Sequence, residues 1–217
     1  MDRPGGQSAQ RASGPGEGAG RLIRLRAWSA IFWAAPLAAA LTNPVAALAD
    51  SALGESASDP LIPLVDAAAQ RLQTADPVAA SKWLTGGPIT DPARVQQVLT
   101  AVAAEAESAG VPADYVTTAF TDQINATEAI QYNRFSWWKF DPAAAPASAP
   151  DLSASRSQID ELNKRMVGEI ARQWPVLQSG ECPAQLEAAK SEVAGSRQFD
   201  PLYRQALDVA TRSYCNP

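Results

Sequence analysis

Apolar residues in this chain recur at intervals of three and four, rarely two, from residue 61 almost to the end. That period belongs to helices that bury one face. Leu61, Leu64, Val65, Ala68, Leu72 and Ala79 define a first helix over about 61–83. Asp76-Pro77 is a cap-and-first-turn pair inside it, so a kink or short break is expected there. Gly86-Gly87-Pro88 ends the segment. Thr90 or Asp91 caps a second helix with Pro92 just inside, bearing Val95, Val98, Leu99 and Val102, and Gly110 stops it. A third, long helix runs from about 113 to 140. Residues 141–150 hold three prolines and five alanines and predict an extended connection. A fourth helix follows the cap cluster at 151–155 with Ile159, Leu162, Met166 and Ile170 at helical spacing, passes Trp174-Pro175 and stops near Gly180. Two shorter helices over about 184–197 and 201–215 complete an all-α, single-domain bundle of about six helices.

The first fifty residues have a different character. Residues 1–20 are rich in Gly, Ser, Ala and Pro and read as a disordered leader. Arg21, Arg24 and Arg26 precede an apolar run over 27–41, and Ala47-Leu48-Ala49 supplies a small-x-small cleavage pattern before Asp50. The run is shorter than the ~20 residues a membrane span needs, and Pro36 interrupts it. Residues 1–49 are therefore expected to be a leader plus cleavable signal peptide, and 50–217 the working domain, free of the membrane after cleavage. The absence of an adjacent Arg-Arg pair points to the general export route.

Export gives the cysteines a meaning. Cys182 and Cys215 are the only two, and in an oxidising compartment an even pair most often bonds. The loop so closed has about 34 residues, and the chain-entropy model gives it roughly 3.5 to 4 kcal/mol.

Composition then removes whole classes of chemistry. The 217 residues contain no histidine and carry a net charge of −5. Ser-His-Asp and Cys-His catalysis and His-based metal sites are excluded, and two cysteines are too few for a structural zinc. The acidic balance argues against nucleic acid as a partner.

What remains is a set of cations and neutral donors. Arg71 and Lys82 are eleven residues apart, almost three whole turns, so a straight helix would point them within roughly 20° of one another. Arg94 lies early in the next helix. Thr127 and Gln131, four apart, share a face of the long helix. Arg156 sits in a first turn, where a cation opposes the macrodipole. Taken singly, such cations are usually solvated surface residues. Together they suit a small polyanionic ligand and a reaction that needs only positioning and charge stabilisation.

The order of residues also resembles a known family. Leu64-Val65-Asp66-Ala67-Ala68-Ala69-Gln70-Arg71-Leu72 and Asp76-Pro77-Val78-Ala79-Ala80-Ser81-Lys82-Trp83 are similar to the first helix of the exported chorismate mutases, the γ subclass of the AroQ-type helical fold. Ala126-Thr127-Glu128-Ala129-Ile130 and Asp151-Leu152-Ser153-Ala154-Ser155-Arg156 carry the resemblance further, and it covers the chain from about Leu61 onward. It implies conversion of chorismate to prephenate by pericyclic rearrangement, with no covalent intermediate and no cofactor. It further implies that Arg71, Arg94 and Arg156 grip the two substrate carboxylates, and that Lys82 faces the ether oxygen. Gln131 would donate a second hydrogen bond to that oxygen, and Thr127 would bond or orient a carboxylate. A homodimer with a complete site in each protomer is implied too, with two structural C-terminal helices.

The chain departs from the family pattern twice. Position 131 is Glu in the close relatives and Gln here. Val98 replaces a polar Gln one turn after Arg94, and the adjacent Gln97 points about 100° away. Val98 favours a competing reading, an exported non-catalytic anion-binding or interaction protein with a decayed pocket. Retention of the six polar residues together opposes it.

Overall fold

The computed structural model describes residues 59–215, and the expected leader and the cleavage point before Asp50 lie outside them. Seven α-helices fill this span: α1 (Ile62–Gln73), α2 (Ala75–Thr85), α3 (Pro92–Ala109), α4 (Ala113–Phe140), α5 (Leu152–Leu177), α6 (Cys182–Ser196) and α7 (Pro201–Thr211). The expected break in the first helix separates α1 from α2. It falls at Thr74, two residues before Asp76. Proline acts on the carbonyl four residues earlier: Pro77 has no N–H for Gln73 and its ring crowds that carbonyl. The Thr74 hydroxyl caps the interruption by donating to the Arg71 carbonyl at 2.7 Å.

The other boundaries follow local chemistry. Asp91 accepts from the Arg94 N–H at 3.1 Å, and Asp200 from the Tyr203 N–H at 2.8 Å, each with a proline in the first turn. These caps satisfy donors a helix cannot satisfy itself. α2 and α3 end at Gly86 and Gly110, whose φ values of 69° and 73° are left-handed conformations open to glycine. Within the proline-rich connection a short 3-10 turn, Pro142–Ala144, precedes extended chain.

α1 lies at the centre and packs against α4, α5, α6 and α7. Ala67, Ala68 and Ala69 are all fully buried, so α1 presents small side chains toward several neighbours at once. Leu64, Leu72, Phe120, Ile130, Met166 and Ile170 fill the space between. Truncating Leu64 or Leu72 to Ala would cost about 2–5 kcal/mol in such packing. Cys182 opens α6 and Cys215 follows α7. They form a disulfide with Cα atoms 5.6 Å apart, joining the two helices at the ends the sequence predicts.

Candidate active site

Five helices converge on one cleft of about 600 Å³, counting the space at its mouth. Arg71 enters from α1, Lys82 from α2, Arg94 from α3, Thr127 and Gln131 from α4, and Arg156 from α5. All six residues singled out in the sequence line this cleft. The break at Thr74 does not part Arg71 from Lys82.

Arg71 forms the floor. It is 4% exposed, and its guanidinium carbon lies 5.9 Å from the centre of the Phe120 ring. Its Nε donates to Asn163 Oδ1 at 2.8 Å and its Nη1 to Thr127 Oγ1 at 3.3 Å. Both partners are neutral, and no ion pair among the described residues includes Arg71. Burial lowers its pKa to about 10, with repulsion from Arg94 adding to that and Tyr214 and Asp160 opposing it. The group is still charged at neutral pH. A buried guanidinium without a carboxylate is costly to hold empty and is satisfied by an anion.

Thr127 and Gln131 share a face, as their spacing requires. The Thr127 hydroxyl donates to the Gln123 carbonyl at 2.7 Å, which leaves its lone pairs for Arg71. Gln131, 3% exposed, accepts from Lys82 Nζ at 3.2 Å through Oε1. The Lys82 ammonium also donates to the Ile89 carbonyl at 2.6 Å. Burial lowers the Lys82 pKa, Glu128 and Asp91 raise it, and Arg156 lowers it.

The outer arginines are held differently. Arg94 Nη2 pairs with Asp160 at 2.5 Å, and Arg156 Nη2 meets Asp91 at 3.3 Å. The pairing is reciprocal, since α5 supplies the carboxylate for α3's arginine and the cap of α3 supplies the one for α5's. Both pairs are partly exposed, so each contributes little to stability. Val78, Val95, Val98, Ile124 and Ile159 form an apolar wall between the cations, each within about one turn of a polar cleft residue on its own helix. Val98 is buried in that wall and Gln97 is exposed on the far side, so no amide replaces the missing one.

Sequence reading missed three supports. Asp160 and Asn163 had a signal: with Arg156 they stand at i, i+4 and i+7, one face of α5. The Ile89 carbonyl had none, because backbone groups carry no residue signature.

A family model described as chorismate mutase type II matches residues 63–132, a span that includes five of the six cleft residues and ends before Arg156. A protein named secreted chorismate mutase from Mycolicibacterium smegmatis is 59% identical over 158 residues, 73% of this chain and 87% of that one. The chain belongs to the chorismate mutases. A second family member, named secreted chorismate mutase from Mycobacterium tuberculosis, is 54% identical over 155 residues, covering 71% of this chain and 78% of its own. The crystal structure of a chorismate mutase from Burkholderia phymatum superposes with a TM-score of 0.69 at 33% identity, over 74% of this chain and 98% of that one. The all-α fold is thus the fold of this family, and α1 to α4, with four of the five helices that line the cleft, contain the part its sequence model matches.

Proposed function

We infer that this chain is an exported chorismate mutase that rearranges chorismate to prephenate by holding the substrate and stabilising charge, without a covalent step. One observation carries the reading: Arg71, Lys82, Arg94 and Arg156 line a single cleft, and its deepest cation has only neutral partners. Bidentate guanidinium contacts suit the two carboxylates of the substrate. Arg71 grips one in the floor, with Thr127 fixing its angle. Arg94 and Arg156 reach in from α3 and α5 for the rest. Lys82 then directs its ammonium at the ether oxygen of the breaking C–O bond, where negative charge grows. Gln131 lies beside it and offers its amide N–H to the same oxygen. The apolar wall takes the ring and excludes water, which strengthens the charge contacts beside it.

Export is supported by the secreted relatives and by the leader signature over 21–49. Among the described residues no helix is long and apolar enough to cross a membrane. A homodimer is supported by apolar surface near the end of α2 and α4, where Leu84, Trp137 and Phe140 are exposed, Phe140 at 85%. Trp137→Glu with Phe140→Asp should yield a monomer in light scattering. An unchanged mass would remove that face from the interface.

The activity test is direct. Purified mature protein should consume chorismate, read as loss of its absorbance, and Lys82→Ala should abolish turnover with an unchanged helical circular dichroism spectrum. Removing one preorganised donor of this kind costs roughly 3 kcal/mol or more. Chorismate bound but never converted by the wild-type protein would favour the non-catalytic anion binder.

A further inference from the structure

The ammonium of Lys82 is held by a loop. Its contact with the Ile89 carbonyl, 2.6 Å, is shorter than the 3.2 Å to Gln131. Ile89 belongs to residues 86–91, the connection from α2 to α3. The chain turns out of α2 at left-handed Gly86, and the Gly87 N–H closes the turn on the Lys82 carbonyl at 2.9 Å. Whatever fixes this loop also fixes the direction in which a long, flexible lysine points.

The loop is fastened by Thr90. Its hydroxyl bonds Glu128 Oε2 at 3.1 Å and Tyr132 OH at 3.0 Å. The carboxylate can only accept, so Thr90 donates to Glu128 and accepts from Tyr132. Glu128 and Tyr132 are four residues apart on α4, one position beyond Thr127 and Gln131. α4 thus carries two parallel i,i+4 pairs, Thr127 and Gln131 in the cleft, and Glu128 and Tyr132 gripping the loop at its edge. The far end of the loop is tied independently, because Asp91 caps α3 and meets Arg156.

We propose that Thr90, Glu128 and Tyr132 form a clasp that positions Lys82 for turnover through the Ile89 carbonyl. The proposal rests on Lys82 being the group that faces the ether oxygen. The three members of the clasp are positioning residues that act on the ammonium through the loop, and because Glu128 also lines the cleft the test is placed at Thr90. Opening the clasp releases the Ile89 carbonyl and lets the ammonium leave its direction. The arginines that grip the carboxylates are anchored on α1, α3 and α5 and stay in place. Loss therefore falls on kcat and spares KM.

Thr90→Val, close in shape and without the hydroxyl, tests this against Thr90→Ser, which keeps it. In steady-state assays on the full mature protein, Thr90→Val should lose about tenfold in kcat, with KM and melting temperature near wild type. Thr90→Ser should restore most of the loss. Lys82→Ala is measured alongside. If it abolishes turnover while Thr90→Val keeps wild-type kcat, the clasp is wrong and the site reading stands. A kcat loss that Thr90→Ser fails to restore, or a change confined to KM, also overturns the clasp. Turnover retained in Lys82→Ala would remove the role of Lys82 and the clasp together.

Discussion

Asn163 Oδ1 accepts the Nε–H of Arg71 at 2.8 Å across 92 residues of sequence, and it does so as a neutral amide. A carboxylate at this point would neutralise the buried guanidinium permanently. An amide orients the guanidinium and leaves its charge for a ligand.

Asn163→Asp separates those two effects. The variant should melt at a higher temperature, because a buried cation gains a counter-ion. Its KM should rise, because the substrate carboxylate then competes with an internal one. Thermal unfolding and steady-state kinetics on the same preparation check both, and a higher melting temperature with unchanged KM would mean that Arg71 does not bind substrate. Asn163→Leu should instead lose about 1–3 kcal/mol of stability, since it strands a buried donor.

On the proposed mechanism Gln131 should give the acid limb of the pH profile its shape. An amide donates at any pH, Arg71 is still charged at neutral pH with its pKa lowered to about 10, and histidine is absent. We expect kcat to be nearly flat from about pH 5 to neutrality. Gln131→Glu should convert this to an acid-favoured profile, because a carboxyl group must be protonated to donate to the ether oxygen. A steep decline of wild-type kcat above about pH 5 would identify another acid, with Glu128 nearest, as the working donor.

On the proposed mechanism the alkaline limb should follow Lys82, together with Arg71, whose pKa burial lowers to about 10. The Lys82 pKa is lowered chiefly by burial, and Arg156 acts in the same direction. Only the charged form stabilises the ether oxygen, so activity is full below that lowered value and is lost as pH rises through it. A bound dicarboxylate raises the pKa again. The profile of kcat/KM, which reports the free enzyme, should therefore fall at lower pH than that of kcat. Coincident alkaline limbs would show that the substrate charge does not reach Lys82.

The Cys182–Cys215 bond should act on stability alone. The separation of 33 residues makes its removal cost roughly 3.5 to 4 kcal/mol in the chain-entropy model. Cys182→Ala with Cys215→Ala should lower the melting temperature and leave kcat of the folded fraction unchanged, because neither cysteine lines the cleft. A selective loss of kcat at a temperature where the variant is fully folded would place α7 in the catalytic machinery.

Val98→Gln restores the polar group at that turn of α3. It replaces part of the apolar wall with an amide aimed into the cleft, and should lower KM for chorismate. A raised KM would show that the wall is matched to the ring as it stands.

The helices were legible because they rest on periodicity. The cations were legible only as a set, since each alone reads as a solvated surface residue and their roles come from strings that resemble one family. The break at Thr74 was legible in kind and displaced in position, since Asp76-Pro77 resembles a helix start while proline disrupts the carbonyl at Gln73. Asp160 and Asn163 read as a solvated flank of α5 until Arg94 and Arg71, each far off in sequence, arrive beside them. The Ile89 carbonyl belongs to the conformation of a loop, and only a folded chain shows which side chain it meets.

The central place of α1 bears on how the chain is made. It is the first described helix to emerge during synthesis and transport, yet it packs against α6 and α7, which come last. The side of α1 that packs against α6 and α7 has no permanent cover until the final segment between Cys182 and Cys215 arrives. Assembly of the domain is therefore a late, long-range event, and the disulfide ties together the two helices that finally enclose α1. A truncated or stalled chain that lacks the last two helices would display that face to the quality-control machinery of its compartment.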